Sequence, residues 1–184
     1  MAVSGGLQVP SRFAFMVIIR KAAPGISERA LAQFTRRARR AAGLRGQVNV
    51  VLASSRDLRA LNRRFRGKDA PTDVLSFPPM AAVAEKFSGD IVICTEIALR
   101  NARLYQHQPA QELKILILHG MLHLAGMDHE TDGGRMARKE EVLRRELGLS
   151  DGLIRRAAEC GVGLGPENAG QRSAPNGQFR RRPR

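Results

Sequence analysis

One domain built of strands and helices together is the fold class this sequence predicts, and three observations carry the expectation. The chain has 184 residues, 43% of them hydrophobic, enough for a single well-filled core and some tail. Short apolar, β-branched runs bounded by turn residues read as strands. Between them lie longer stretches whose apolar residues recur at helical spacing. With no Trp and one Tyr, Tyr105, aliphatic side chains must fill the core.

The elements follow in order. Residues 1–10 (MAVSGGLQVP) are small and glycine-containing and predict a flexible N-terminus ahead of a domain spanning 11–160. Arg12 to Arg20, rich in Phe, Val and Ile, predicts the first strand. Beyond Pro24-Gly25, Ser27 to Ala42 is helical in period. Leu31, Phe34 and Ala38 share one face, and Arg36, Arg37, Arg39 and Arg40 lie elsewhere, on what reads more simply as a solvated surface than as an RNA-contacting one. Gln47 to Ser54 predicts a second strand. Ser54-Ser55-Arg56-Asp57 is a variant capping box, Asp standing where Glu or Gln is usual, and it opens a helix through Leu58, Leu61 and Phe65. Gly67 and the polar KDAPTD end that helix. VLSF (Val74 to Phe77) predicts a short strand closed by Pro78-Pro79, Met80 to Lys86 a loop, and GDIVIC (Gly89 to Cys94) another strand. Glu96 to Tyr105 predicts a helix, Gln111 to Ala125 a strongly apolar, buried one, and Met136 to Leu147 an amphipathic one stopped by Gly148. Residues 161–184 are dominated by Gly, Pro, Asn and Ser and carry a net charge of +4, leaving +10 on the rest. They predict a disordered basic tail that adds nonspecific affinity for RNA.

Several function classes fall away. No apolar run approaches the length of a membrane span. FAFMVII, between Arg12 and Arg20, lacks the basic region and cleavage site of a secretory signal. Cys94 and Cys160 stand far apart in no paired motif, which suits a reducing compartment, so a cytoplasmic protein is expected. The formal charge of +14 and pI near 11.4 favour polyanionic partners, nucleic acids first. Arg outnumbers Lys by 26 to 5, which genomic base composition also produces, so charge alone names no function.

The chemistry concentrates in LHGMLHLAGMDHETD, Leu118 to Asp132. Three of the chain's four histidines, His119, His123 and His129, fall within it. Two histidines four apart on a helix share a face, one turn apart, so both rings reach one ion. Gly126 can adopt positive φ, end the helix and reverse the chain, carrying His129 back as a third ligand. Three imidazoles with an open fourth position is a catalytic zinc pattern, whereas structural zinc is usually enclosed by four protein ligands, mostly Cys. Both cysteines lie far from this stretch, so a closed site is the poorer fit, and one Zn²⁺ per chain is expected. The spacing H-x3-H-x2-G-x2-H is also that of metzincin peptidases, whose first His is followed by the Glu that serves as base. Here that position is Gly120, which counts against proteolysis.

HGMLHLAGMDH closely resembles the H-G-x-L-H-L-x-G-Y-D-H signature of the YbeY family of bacterial endoribonucleases, with Met127 in the place of the usual Tyr. LNRRFRGKDAPTDVLSFP (Leu61 to Pro78) resembles that family's other hallmark, and GDIVIC its following strand. The resemblance covers roughly Val48 to Leu149. It implies a zinc-dependent RNase preferring single strands, acting in rRNA maturation at the 3′ end of small-subunit rRNA and in ribosome quality control. Its partners would be RNA and the small ribosomal subunit, with ribosome-assembly proteins beyond them. It implies an α+β fold, a mixed sheet covered by helices, zincin-like in holding a three-His metal site at the end of a central helix. By motif, His119, His123 and His129 correspond to the metal ligands and Arg66 to an arginine important for activity.

A guanidinium offers phosphate a planar fork, which suits Arg66 to that role, although the end of a helix favours an arginine in any case. Asp128, beside the third histidine, could orient an imidazole or act as a base. Asp73 and Asp90 read as loop and turn carboxylates. Two further readings stand beside the nuclease: a ribosome-assembly RNA-binding factor with a mainly structural metal, and a metallohydrolase of peptides or small molecules.

Overall fold

A computed structural model of the chain describes residues 16–19 and 27–149. The predicted N-terminus (1–10), most of the Arg12–Arg20 strand, Cys160 and the basic tail (161–184) lie outside the described residues. Four strands, β1 (Met16–Ile19), β2 (Gln47–Ala53), β3 (Val74–Phe77) and β4 (Phe87–Cys94), form one sheet in the order β1-β2-β4-β3. β1 and β4 run parallel to β2, while β3 pairs antiparallel with β4, so the sheet is mixed and β3 is an edge. Among the described residues five α-helices accompany it: α1 (Glu28–Ala41), α2 (Ser55–Arg66), α3 (Thr95–Leu104), α4 (Pro109–Leu124) and α5 (Arg135–Leu147).

Alternation along the strands sorts these helices. Val48, Val50 and Leu52 of β2 and Ile91 and Ile93 of β4 face one way. They meet Leu31, Phe34 and Ala38 of α1 and Leu113, Leu116, Ile117 and Met121 of α4. Leu75, Val92 and Cys94 face the other way and meet Leu58 of α2. A third cluster, Leu118, Leu122, Met136 and Leu143, joins the far side of α4 to α5. Helix α4 is therefore sandwiched between the sheet and α5, which accounts for its apolar residues on every side.

The helix ends follow the sequence closely. Ser27 caps α1, its Oγ accepting from the Ala30 amide. The Ser54/Asp57 capping box is formed in full: Ser54 Oγ accepts from the Asp57 amide and the Ser54 amide donates to Asp57 Oδ2, each at 3.2 Å. At α4 the start is held by Pro109 in the first turn and by His107, whose Nε2 lies 2.8 Å from the fully buried carboxylate of Glu112.

Beyond shifts of one or two residues at other element ends, as at α4, which starts at Pro109 and not Gln111, three details differ from expectation. β4 begins two residues earlier, at Phe87, because the Gln47 amide donates to the Lys86 carbonyl and Gln47 pairs with Phe87. The Met80–Lys86 loop contains a 3₁₀ turn at Ala81–Val83. Phe65, placed by periodicity on the apolar face of α2, is 57% exposed. It sits in the last turn of the helix, packed edge-on against Phe77 of the edge strand (centroids 5.1 Å apart), with the Arg64 guanidinium over its ring.

Candidate metal centre

The site is built by the way α4 stops. Gly126 has φ +80°, a conformation that costs glycine nothing and a residue with a Cβ a good deal. Its amide donates to the His123 carbonyl (2.9 Å) and the Met127 amide to the Leu122 carbonyl (3.1 Å), the paired bonds of a Schellman ending. That motif usually brings an apolar contact between the two residues its outer bond joins, and Met127 packs on the cluster containing Leu122. Met127 thus has a defined packing role at the position where a Tyr is usual.

A tight turn follows. The Asp128 carbonyl accepts from the amides of Thr131 (3.1 Å) and Asp132 (3.0 Å). Its carboxylate accepts from the Glu130 amide and the Thr131 hydroxyl, both at 3.1 Å, and these donors hold its pKa below the usual range. Asp132 then accepts from the amides of Gly134 and Met136 and starts α5. The turn returns His129 to the helix end.

His119, His123 and His129 converge so that one nitrogen from each lies within 4.8 Å of the others. The Nε2 atoms of His119 and His123 are 3.1 Å apart, and the ring centroids are separated by 4.8, 5.3 and 5.4 Å. Nitrogens around a tetrahedral zinc with Zn–N near 2.0–2.1 Å lie about 3.3 Å apart, so the His119–His123 pair already has the required spacing and the wider cluster would close inward on an ion. Burial first, then the neighbouring histidines, pulls His123 down to about 4. The same causes lower His129. Neutral imidazoles offer lone pairs, so the donor set fits a divalent metal ion. His119 is buried, while His123 and His129 are half-buried, leaving the cluster open to solvent on their side.

Other sequence candidates are placed differently. Asp128 spends its carboxylate oxygens on the turn, and no hydrogen bond joins it to an imidazole. Asp73 accepts from the Val74 amide and Thr72 hydroxyl, and Asp90 from the Asn49 side-chain amide, so both serve the sheet and its connections. Arg66 ends α2, on the other face of the sheet from α4. It is exposed, and the structure does not bring it into contact with the histidines.

Gly120, where a metzincin carries its base, points away from the cluster. A Cβ there would lie 2.9 Å from Ile91 Cγ2 and 3.0 Å from Ser76 Oγ, and the Ser76 hydroxyl donates to the Gly120 carbonyl at 3.2 Å. The helix rests on the sheet at this residue and leaves no room for a glutamate. The carboxylate that does approach a histidine of the cluster was missed by sequence reasoning. Glu140 of α5 is buried, and its Oε2 lies 3.5 Å from His119 Nδ1. A signal was present: Met136, Glu140, Leu143 and Leu147 share one helical face, so an acid stands in an apolar stripe.

Comparison with known proteins agrees with this geometry. The family model described as Endoribonuclease YbeY matches residues 18–148. The Endoribonuclease YbeY of Koribacter versatilis is 51% identical over 144 residues, covering 78% of this chain and 93% of that protein. Its namesake from Solibacter usitatus is 41% identical over 140 residues, covering 76% and 92%. With its histidine-bearing helix end inside the matched region, this chain belongs to the endoribonuclease YbeY family.

Proposed function

We propose that the chain is a zinc-dependent endoribonuclease that cuts single-stranded RNA, in the cytoplasm, during maturation of the 3′ end of small-subunit rRNA and in ribosome quality control. The observation that carries this reading is the three-nitrogen cluster with one solvent-open side, in a chain of this family. His119, His123 and His129 would hold the zinc, which would supply Lewis acidity toward a phosphoryl oxygen. The protein's own residues supply the rest. The helix end and the Asp128 turn hold the three imidazoles in place before substrate arrives. Arg66 takes the role of a phosphate-binding fork for a strand that passes from the histidines around the β3 edge to the end of α2. Ser76 on Gly120 and Phe65 on Phe77 are the contacts that bring those two faces to that edge. We read the arrangement as zincin-like, with the histidine helix packed beneath an antiparallel edge strand. RNA on the small ribosomal subunit is the partner this implies, with ribosome-assembly proteins around it, and the basic residues 161–184 add affinity without specificity.

One observation favours a second reading, an RNA-binding assembly factor whose metal is mainly structural. Neither Gly120 nor Asp128 supplies a base to the cluster. The deciding experiment is cleavage of a single-stranded RNA by the purified protein, with and without a chelator, beside His119→Ala. Chelator-sensitive cleavage that His119→Ala abolishes supports the nuclease. RNA binding that persists with no cleavage under any metal supports the assembly factor.

A further inference from the structure

We propose that Glu140 is a positioning residue of the histidine cluster. Its carboxylate holds the proton of His119 on Nδ1 and so presents Nε2 to the metal ion. The inference rests on the metal-binding reading of the three histidines and adds a residue from a different helix. His119 has both ring nitrogens buried in defined directions. Nε2 faces His123 Nε2 at 3.1 Å, inside the cluster. Nδ1 is buried with no hydrogen-bond partner, and Glu140 Oε2 faces it at 3.5 Å. The two side chains are 3% and 2% exposed. The separation is too long for a finished hydrogen bond, so this is a carboxylate aimed at a ring nitrogen across a short gap.

The surroundings sharpen the point. Glu140 is buried on the face of α5 that carries Met136 and Leu143, members of the cluster joining α5 to α4. A buried carboxylate needs polar partners, and His119 Nδ1 is one within reach. A metal-bound imidazole commonly donates its other N–H to a carboxylate, which fixes both tautomer and ring orientation and strengthens the ligand. His119 is the ligand that needs this most. His123 and His129 are half-buried, whereas His119 is buried, with Glu140 of α5 beside it. The alternative is a purely structural carboxylate, since Arg144, one turn along α5, is buried as well.

Two variants of the full chain separate these roles. Glu140→Leu keeps the volume and removes the acceptor, and Glu140→Gln keeps an acceptor and removes the charge. Zinc affinity, measured by competition with a chromogenic chelator, should fall roughly 10–100-fold in Glu140→Leu and less in Glu140→Gln. The metal-free proteins should show wild-type circular dichroism. Nitrogen NMR of metal-free protein at alkaline pH should show His119 protonated on Nδ1 in the wild type and as a tautomer mixture in Glu140→Leu. Zinc affinity within twofold of wild type in both variants, or an unchanged His119 tautomer, overturns the proposal. Should Glu140→Leu fail to fold, Glu140→Gln and the wild-type tautomer decide it. Wild-type protein that binds no zinc refutes the metal-binding reading instead, and the tautomer measurement still reports on Glu140.

Discussion

Helices α2 and α4 pack on opposite faces of one sheet and are made by opposite means. α2 is written into its own residues: a reciprocal Ser54/Asp57 box opens it, Gly67 at φ +71° closes it, and only Leu58 and Asn62 are buried. α4 has no side-chain cap at its start, and Glu112, Leu113 and the run from Ile115 through Leu122 are all buried. With no side-chain cap and apolar residues on every side, α4 takes its stability from the core around it. The three-nitrogen cluster forms at the end of that helix, where neighbours fix each ring. Arg63, Arg64 and Arg66 stand exposed in the last turn of the locally capped one. Rigid placement and exposed charge are thus supplied by different kinds of helix.

Breaking each helix's contribution separately gives the largest effects. His119→Ala removes the most buried imidazole of the three and should eliminate bound zinc and reduce RNA cleavage to background, as read by elemental analysis and a gel-based cleavage assay. Zinc retained at full stoichiometry would remove His119 from the site. Arg66→Ala, on the other helix, should reduce cleavage by about 100-fold or more, as loss of a single charge-stabilising donor does, with zinc content and thermal stability unchanged. Arg66→Lys should recover only part of the rate, because an ammonium does not reproduce the fork. Wild-type cleavage by Arg66→Ala would return that residue to a simple helix-end arginine.

The same contrast explains what was legible in the sequence. Local code reads well: the capping box, the apolar faces of α1 and the VLSF strand all stand where the residues predict them. The cluster was legible as well, because its spacing is a property of helix geometry plus one glycine. Tertiary facts were not. Periodicity put Phe65 on the apolar face of its helix, but the face runs past the sheet edge there and the ring is left largely in solvent. Asp128, beside His129, was a candidate to orient an imidazole or act as a base, yet its carboxylate serves the turn. Glu140 could be reached only by noticing an acid on an apolar stripe, since its partner lies 21 positions away in sequence.

A smaller effect tests how closely α4 depends on the sheet. Gly120→Val places a Cβ within 2.9 Å of Ile91 Cγ2, on a β-branched residue that is itself fully buried, and adds two methyls beyond it. Overpacking of this kind costs about 1–3 kcal/mol, and the slight gain in helix propensity over glycine does not offset it. Denaturant unfolding should show the loss, and zinc affinity should fall with it because the ligands ride on the displaced helix. Stability equal to wild type would mean that the contact between α4 and β4 yields easily.

The smallest effect belongs to the cap of α2. Ser54→Ala removes the acceptor of the Asp57 amide and the donor to Asp57 Oδ2, leaving one helix-terminal amide without its side-chain partner. Loss of such a cap costs about 1 kcal/mol, which in a domain of this size lowers Tm by about 2–4 °C. The Ser55 amide still donates to Glu96 Oε2 at 3.1 Å, so the first turn stays tied to α3 and the helix should loosen rather than detach. Zinc content should not change, because no part of the cluster touches α2. Cleavage should hardly change either, since Arg66 sits at the opposite end of the helix from the lost cap. A scanning-calorimetry shift with normal zinc and normal cleavage would keep the two helices separable. A fall in cleavage much larger than the fall in stability would show that the set of α2 against the sheet aims Arg66, and that the exposed helix is held as strictly as the buried one.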